Sequence, residues 1–258
     1  MIKAKKKYGQ NFLKDKHYLE KIVEAMPKSD NLVIEIGPGL GDLTEKLLEK
    51  RQVLAYEIDR ELCEILKKKF PNLNLKCGDV LEYWQESLAN TKYDLIANLP
   101  YYIATNIILR ALKDKNAQNI LVLIQKEVAD KFSAKVGDKI YGSLSILASQ
   151  VANVKKLFDI PPGAFVPAPK VMSSVILFEK FKDSYNEDFA KFLKIAFANP
   201  RKTLNKNLSV KYNFNPSEFG LADTIRPHQV DADTFFQLFS ALKERSKNGK
   251  NNKSSRSD

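Results

Sequence analysis

Four residues in the middle of the chain, Asn98-Leu-Pro-Tyr101, have the types and spacing to hold an aromatic amine for alkylation. The exocyclic amine of adenine is a poor nucleophile because its lone pair is delocalised into the ring, so it needs orientation more than a strong base. The Asn98 carboxamide oxygen and the Leu99 carbonyl, left out of a regular ladder by Pro100, can accept the two N–H bonds and localise that lone pair. Tyr101 adds a ring face on which an extruded base can stack. Taken alone, the tetrapeptide is also what a proline-containing turn after a strand looks like. Its context is Glu35-Ile-Gly37-Pro-Gly39-Leu-Gly41, which ends one strand and opens the next helix, where missing Cβ atoms let a ligand reach the backbone. A dinucleotide site wants G-x-G-x-x-G. Here the third glycine is Gly41 and Asp42 follows, a spacing that points away from NAD and toward a nucleoside without a pyrophosphate, S-adenosylmethionine. Glu57, ending the second strand, is placed to accept from ribose hydroxyls, the job an acidic residue does in dinucleotide folds; it is equally an ordinary strand-end carboxylate. Asp79, in Cys77-Gly-Asp-Val80, closes the third strand and can accept from an adenine amino group. Successive strand ends then converge on one crevice.

The elements that must position these residues follow from periodicity. Asp15 caps a helix whose apolar residues Leu19, Ile22, Val23 and Met26 have helical spacing, and Pro27 stops it. Strands at Leu32 to Ile36 and Val53 to Tyr56 alternate with helices through Leu43, Leu47 and Leu48 and through Leu62, Ile65 and Leu66. Further strands are expected at Leu73 to Lys76, Tyr93 to Ala97, Ile120 to Gln125 and Val171 to Phe178, the later ones nearly continuous in apolar residues. That pattern predicts an α/β fold, a doubly wound, mostly parallel Rossmann-like sheet covered on both faces. Past Phe181 only helical signals remain, at Phe189 to Phe197, Thr203 to Lys211 and Thr234 to Leu242. The expected organisation is a methyltransferase domain over 1–182 with a basic leader, a small all-helical domain over 183–242, and a disordered basic tail over 243–258, where no large apolar residue occurs.

The chain has 258 residues, 44% hydrophobic and 28% charged, as a folded protein has. Its 42 Lys and Arg against 31 Asp and Glu give a formal charge of +11, which favours a polyanion, nucleic acid before an anionic membrane surface. Cys63 and Cys77, with only two His, support neither a disulfide framework nor a zinc site, so reduced thiols and no metal are expected. No apolar stretch follows the basic start, and runs such as Ile120 to Ile124 are far too short to span a bilayer. A cytoplasmic monomer is expected.

With these motifs in view, the chain resembles the small-subunit ribosomal RNA adenine N6,N6-dimethyltransferases, the KsgA/RsmA family, from Tyr8 to about Phe239. Tyr8-Gly-Gln-Asn-Phe-Leu13 is similar to the family's leader motif, which implies cofactor contacts for Asn11 and Leu13. Gly37, Gly39, Glu57, Ile58, Asp79, Val80 and Asn98 fall on its other cofactor positions. Gln125-Lys-Glu-Val-Ala129, Tyr141-Gly-Ser-Leu-Ser145 and the stretch from Pro162 to Val171 are similar as well, and Phe165 matches the aromatic implied to sandwich the target base opposite Tyr101; a core Phe would look the same. The helical domain is implied to contact RNA. In Phe197-Ala-Asn-Pro-Arg-Lys-Thr-Leu204, Pro200 stands where relatives have a basic residue, while Arg201 and Lys202 remain; Tyr102 stands where relatives often have Asn. Lys7, Lys170, Lys206 and Arg226 join these two as candidate phosphate contacts, which position RNA without reading it. The resemblance implies S-adenosylmethionine-dependent dimethylation of two adjacent adenosines in a 3′-terminal hairpin loop of small-subunit (16S) ribosomal RNA, within an assembling subunit. The alternatives are a large-subunit RNA adenine methylase of the erythromycin-resistance type and a non-catalytic RNA-binding assembly factor.

Overall fold

The computed structural model describes Lys5, residues 8–183 and residues 185–254, the stretch 246–254 by its backbone course alone. The chain forms two compact units, one reaching Asp130 and resuming at Val151 through the last strand, the other made of Lys131–Gln150 and the chain from Tyr185 onward.

The first unit begins with a two-residue strand, β1 (Phe12–Leu13), and α1 (Lys16–Glu24), whose first turn is capped by Asp15 accepting from His17 N–H. It continues with β2 (Leu32–Ile36), α2 (Asp42–Leu48), β3 (Val53–Glu57), α3 (Arg60–Lys69), β4 (Asn74–Cys77), α4 (Val80–Tyr83), β5 (Tyr93–Asn98), α5 (Ala104–Lys113), β6 (Ala117–Gln125) and α6 (Lys126–Ser133). After α7 (Ser143–Ser149) come β7 (Ala152–Ile160), β8 (Phe165–Val166) and β9 (Ser173–Lys180). The seven-stranded sheet has the order β4-β3-β2-β5-β6-β9-β7, parallel from β4 to β6 and antiparallel through β9 and β7. Residues of β3 and β9 are buried on both faces, which is why those segments read as apolar runs rather than alternations.

The chain leaves β2 toward β3 on one side and returns to β5 on the other, so the C-terminal ends of β2 and β5 flank the switch point where ligands bind in open α/β sheets. At their opposite ends the sheet is pinned by a buried polar cluster. Asp94 accepts from Arg51 at 2.6 Å, Ser29 at 2.5 Å, Asn119 at 2.7 Å and Asn31 at 3.2 Å, so the carboxylate taken out of water is well compensated, while Arg51 Nη2 is left without a partner.

Two elements depart from expectation. β7 carries Lys155-Lys156-Leu157 facing solvent at the sheet edge, with a register shift between Lys156 and Phe158, and such a strand has no buried alternation to betray it. Cys63 and Cys77 are not free thiols but are joined as a disulfide, Cα atoms 6.2 Å apart. The β3–β4 register sets Cys77 opposite Glu57, and α3 starts its first turn just after Glu57, so the fold brings the two sulfurs together.

The second unit contains α7, α8 (Glu187–Ala196), α9 (Leu204–Leu208) and α10 (Ala232–Ser254), packed on aromatic rings: Phe189 and Phe192 lie 5.4 and 5.7 Å from Phe239. It therefore takes in residues 131–150 besides the C-terminal helices, and α10 continues past Lys243, where the unfolded tail was expected, as far as Ser254. Among the described residues no helix is long and apolar enough to cross a membrane, and no group of three His, Cys, Asp or Glu could hold a metal.

Candidate active site

One cavity at the C-terminal ends of β2, β3 and β5 is lined by Asn11, Leu13, Gly37, Gly39, Glu57, Ile58, Asp79, Val80, Asn98, Leu99, Pro100 and Tyr101. These residues come from segments up to ninety positions apart, and the parallel part of the sheet brings most of them together by ending β2, β3, β4 and β5 on the same side.

The glycine turn forms the floor. Gly39 has φ +63°, and a Cβ there would meet the Phe12 ring at 2.9 Å, so this position needs glycine both for its backbone and for space. Its N–H donates to Glu57 Oε2 at 3.0 Å, while Asp59 N–H donates to Oε1 at 2.9 Å. Glu57 is thus a structural brace as well as a cavity wall. Burial pushes its carboxyl above the usual range, and the two N–H bonds pull it back. Asp79 caps α4 through Oδ1, accepting from Leu81 N–H at 2.9 Å.

Glu35, the acidic residue that opens the glycine motif, is a further carboxyl at the cavity. It is 1% exposed, lines the cavity, and its Oε2 has no hydrogen-bond partner. Burial pushes its carboxyl up to about 8 against the pull of the neighbouring Thr44 hydroxyl, and the charge of Glu57 adds to the rise. At neutral pH the group is therefore held mainly as the neutral acid, and its ionised form becomes favourable only when a cationic partner answers it.

The leader closes one side. Lys5 Nζ and Gln10 Nε2 donate to the two oxygens of Asp59, at 2.8 and 3.2 Å, and Lys5 also reaches Glu61 at 2.7 Å. Burial works against ionisation of Asp59, but these bonds outweigh it and hold the carboxyl below its usual range. Beyond Gln10, Asn98 Nδ2 donates to the Asn11 carbonyl at 3.0 Å. The amide nitrogen of Asn98 is therefore engaged by the leader, which leaves Oδ1 as the acceptor of this side chain. Tyr101 is half-buried, its phenol 2.6 Å from Ser173 Oγ.

Phe165 does not line this cavity. It is 3% exposed and packs in the hydrophobic core with Leu13, Leu19, Ile160 and Val175, because β8 pairs with β1 and turns Phe165 inward and Val166 outward. Of the two aromatics expected to sandwich the base, Tyr101 lines the cavity, together with Tyr8, Phe12, Tyr56 and Tyr102, and Phe165 does not. Lys170 is exposed; in the second unit Arg201, Lys202, Lys206 and Arg226 are exposed, and Leu204 N–H donating to Ile225 O at 2.8 Å draws the backbone next to Arg226 beside the start of α9. Lys7 lies outside the described residues.

The sheet order and the cavity at its switch point define a Rossmann-like methyltransferase. Two solved structures share this fold: a dimethyladenosine transferase from Plasmodium falciparum, TM-score 0.74 at 24% identity, covering 91% of this chain and 98% of that one, and the 23S rRNA methyltransferase ErmE, TM-score 0.71 at 24% identity, covering 90% and 100%. The sequence model of the ribosomal RNA adenine dimethylases matches residues 1–244, and the chain belongs to that family. Among its relatives, the ribosomal RNA small subunit methyltransferase A of Sulfurimonas denitrificans is 51% identical over 92% of this chain and 93% of its own. That of Aliarcobacter butzleri is 48% identical over 97% and 98%. The chain is accordingly an enzyme, an adenine dimethyltransferase of ribosomal RNA.

Proposed function

We propose that this enzyme transfers methyl groups from S-adenosyl-L-methionine to N6 of two adjacent adenosines in a 3′-terminal hairpin loop of small-subunit ribosomal RNA. It does so as a cytoplasmic monomer acting on an assembling small subunit, and thereby serves small-subunit biogenesis. The observation that carries the reading is the fixed direction of Asn98: with Nδ2 committed to the leader, Oδ1 is the atom left to accept an amine N–H. The donor set fits the cofactor. Gly37 and Gly39 let a ligand lie against the backbone, Glu57 and Asp79 accept from ribose and adenine, Asn11, Leu13, Ile58 and Val80 enclose them, and the unpartnered Glu35 oxygen answers a cationic amino-acid end.

When bound, the cofactor supplies an electrophilic methyl on a sulfonium. The chain's own work is positional: Asn98 Oδ1 and the Leu99 carbonyl accept the amine hydrogens, Pro100 holds the carbonyl out of the ladder, and Tyr101 stacks on the base. The amine would take up the positive charge with the methyl and then release one N6 proton to water, so what the residues must supply is desolvation and alignment rather than an oxyanion device. Arg201, Lys202, Lys206, Arg226 and Lys170, with Lys7 of the leader, carry the RNA backbone.

The test is transfer of labelled methyl to undermethylated small subunits and, in parallel, to protein-free large-subunit RNA, with digestion to identify the nucleoside. Dimethyladenosine from the small subunit alone is expected. Label in the large-subunit RNA would move the enzyme to the resistance-methylase class, and cofactor binding without transfer to either would leave an assembly factor.

A further inference from the structure

Ser173 opens β9 with its backbone paired on both sides, opposite Gln125 of β6 and Ile160 of β7, and it is 0% exposed. The strand continues through Val175, Ile176, Leu177 and Phe178, all buried, so this serine puts a hydroxyl into an apolar layer, which is unfavourable unless the hydroxyl is hydrogen-bonded. Its partner is the phenol of Tyr101, 2.6 Å away. The next residue, Ser174, faces the other side of the sheet and donates to Asp159 at 2.6 Å.

Tyr101 lies in a turn after Pro100, outside strand and helix, so no regular backbone sets its ring. Rotation about an aromatic χ2 is broad, and a ring held only at its Cβ end samples a wide range of face directions. The serine anchors the far end of the ring from a strand position paired on both sides. Burial pushes the phenol's ionisation upward, so it stays neutral and able to share a proton with Ser173 throughout the neutral range.

We propose that Ser173 is a positioning residue for methyl transfer: through its hydrogen bond to the Tyr101 phenol it holds the ring face toward the target adenine. This rests on Tyr101 being the stacking platform. Replacing Ser173 by Ala is expected to lower kcat about three- to tenfold, the scale of one hydrogen bond, with the KM for S-adenosylmethionine unchanged. Tyr101→Phe, which keeps the ring and removes the hydroxyl, is expected to match it. The double variant should be no slower than the slower single one, and Ser173→Thr should restore most of the rate. Melting temperatures of all variants separate these losses from instability. Full kcat in Ser173→Ala, or losses that multiply in the double variant, would overturn the proposal. If Ser173→Ala does not fold, full kcat in Tyr101→Phe overturns it. Tyr101→Ala keeps the two ideas apart: a full rate there removes the stacking reading itself, whereas a slow Tyr101→Ala beside a fast Ser173→Ala removes only the positioning role.

Discussion

Asn98 and Glu35 sit in the same cavity with opposite relations to their surroundings. Asn98 is polar, partly buried and oriented by a backbone carbonyl, so its chemistry is a matter of direction. Asn98→Ala is expected to lower the methyl-transfer rate at saturating cofactor by about 10²- to 10³-fold, the usual range for one preorganised polar group, and to weaken cofactor binding several-fold by calorimetry, because Nδ2 also holds the leader at Asn11. Glu35 is a stored cost. Its folded pKa of about 8 exceeds the ordinary value of 4.5, so between those values the folded chain holds a proton that the unfolded chain has lost. Stability of the free protein is therefore expected to fall as pH rises through that window and to level off above it. Glu35→Gln, which cannot ionise, should lack this component, and melting curves of the two proteins from pH 5 to 9 read the difference. A cationic ligand favours the carboxylate form. Cofactor affinity of the wild type should thus gain on that of Glu35→Gln as pH rises toward 8. Both side chains stand in motifs that the residue order displays, but the unpaired oxygen of Glu35 follows only from knowing what surrounds it.

At the scale of elements, the leader and the sheet hold the site by different forces. The leader is fastened through Asp59, which receives Lys5 and Gln10 and also caps α3 by accepting from Glu61 N–H at 3.1 Å. Asn caps a helix as well as Asp does, so Asp59→Asn keeps the cap and removes the charge that draws Lys5. We expect the KM for the cofactor to rise several-fold in that variant with the melting temperature nearly unchanged, as steady-state kinetics and a thermal scan would show. The sheet is held by the Arg51–Asp94 pair, with side chains 10% and 0% exposed. Arg51→Met leaves Asp94 buried with less compensation and should cost about 3–5 kcal/mol in urea unfolding, with activity at low temperature retained because the pair lies at the far ends of the strands from the cavity. Helix caps such as Asp15 and the runs of β2 and β3 are legible in the sequence because each is specified within a few residues. β7 is not, since an exposed, lysine-bearing edge strand exists only by pairing with β9.

For the whole molecule, the formal charge of +11 sets the expected partner and the salt dependence of binding it. Arg201 and Lys202 are exposed and near the start of α9 in sequence. Replacing both by Ala should weaken binding to small-subunit RNA without changing which nucleoside is methylated, and should reduce the slope of log affinity against log salt by about one per residue removed. Filter binding from low to moderate salt measures this. What the sequence determined by itself was the class of sheet, the order of its strand-end motifs and the place of Asn98-Leu-Pro-Tyr101 at the end of a strand, because periodicity, caps and glycine turns act over a few residues. The tertiary structure alone decided four other things: that Phe165 faces the core behind β1, that Cys63 meets Cys77, that residues 131–150 belong with the C-terminal helices, and that Ser173 reaches Tyr101. Each depends on partners far apart along the chain, and the pairing of such partners is set by how whole elements pack rather than by any local preference of the residues concerned.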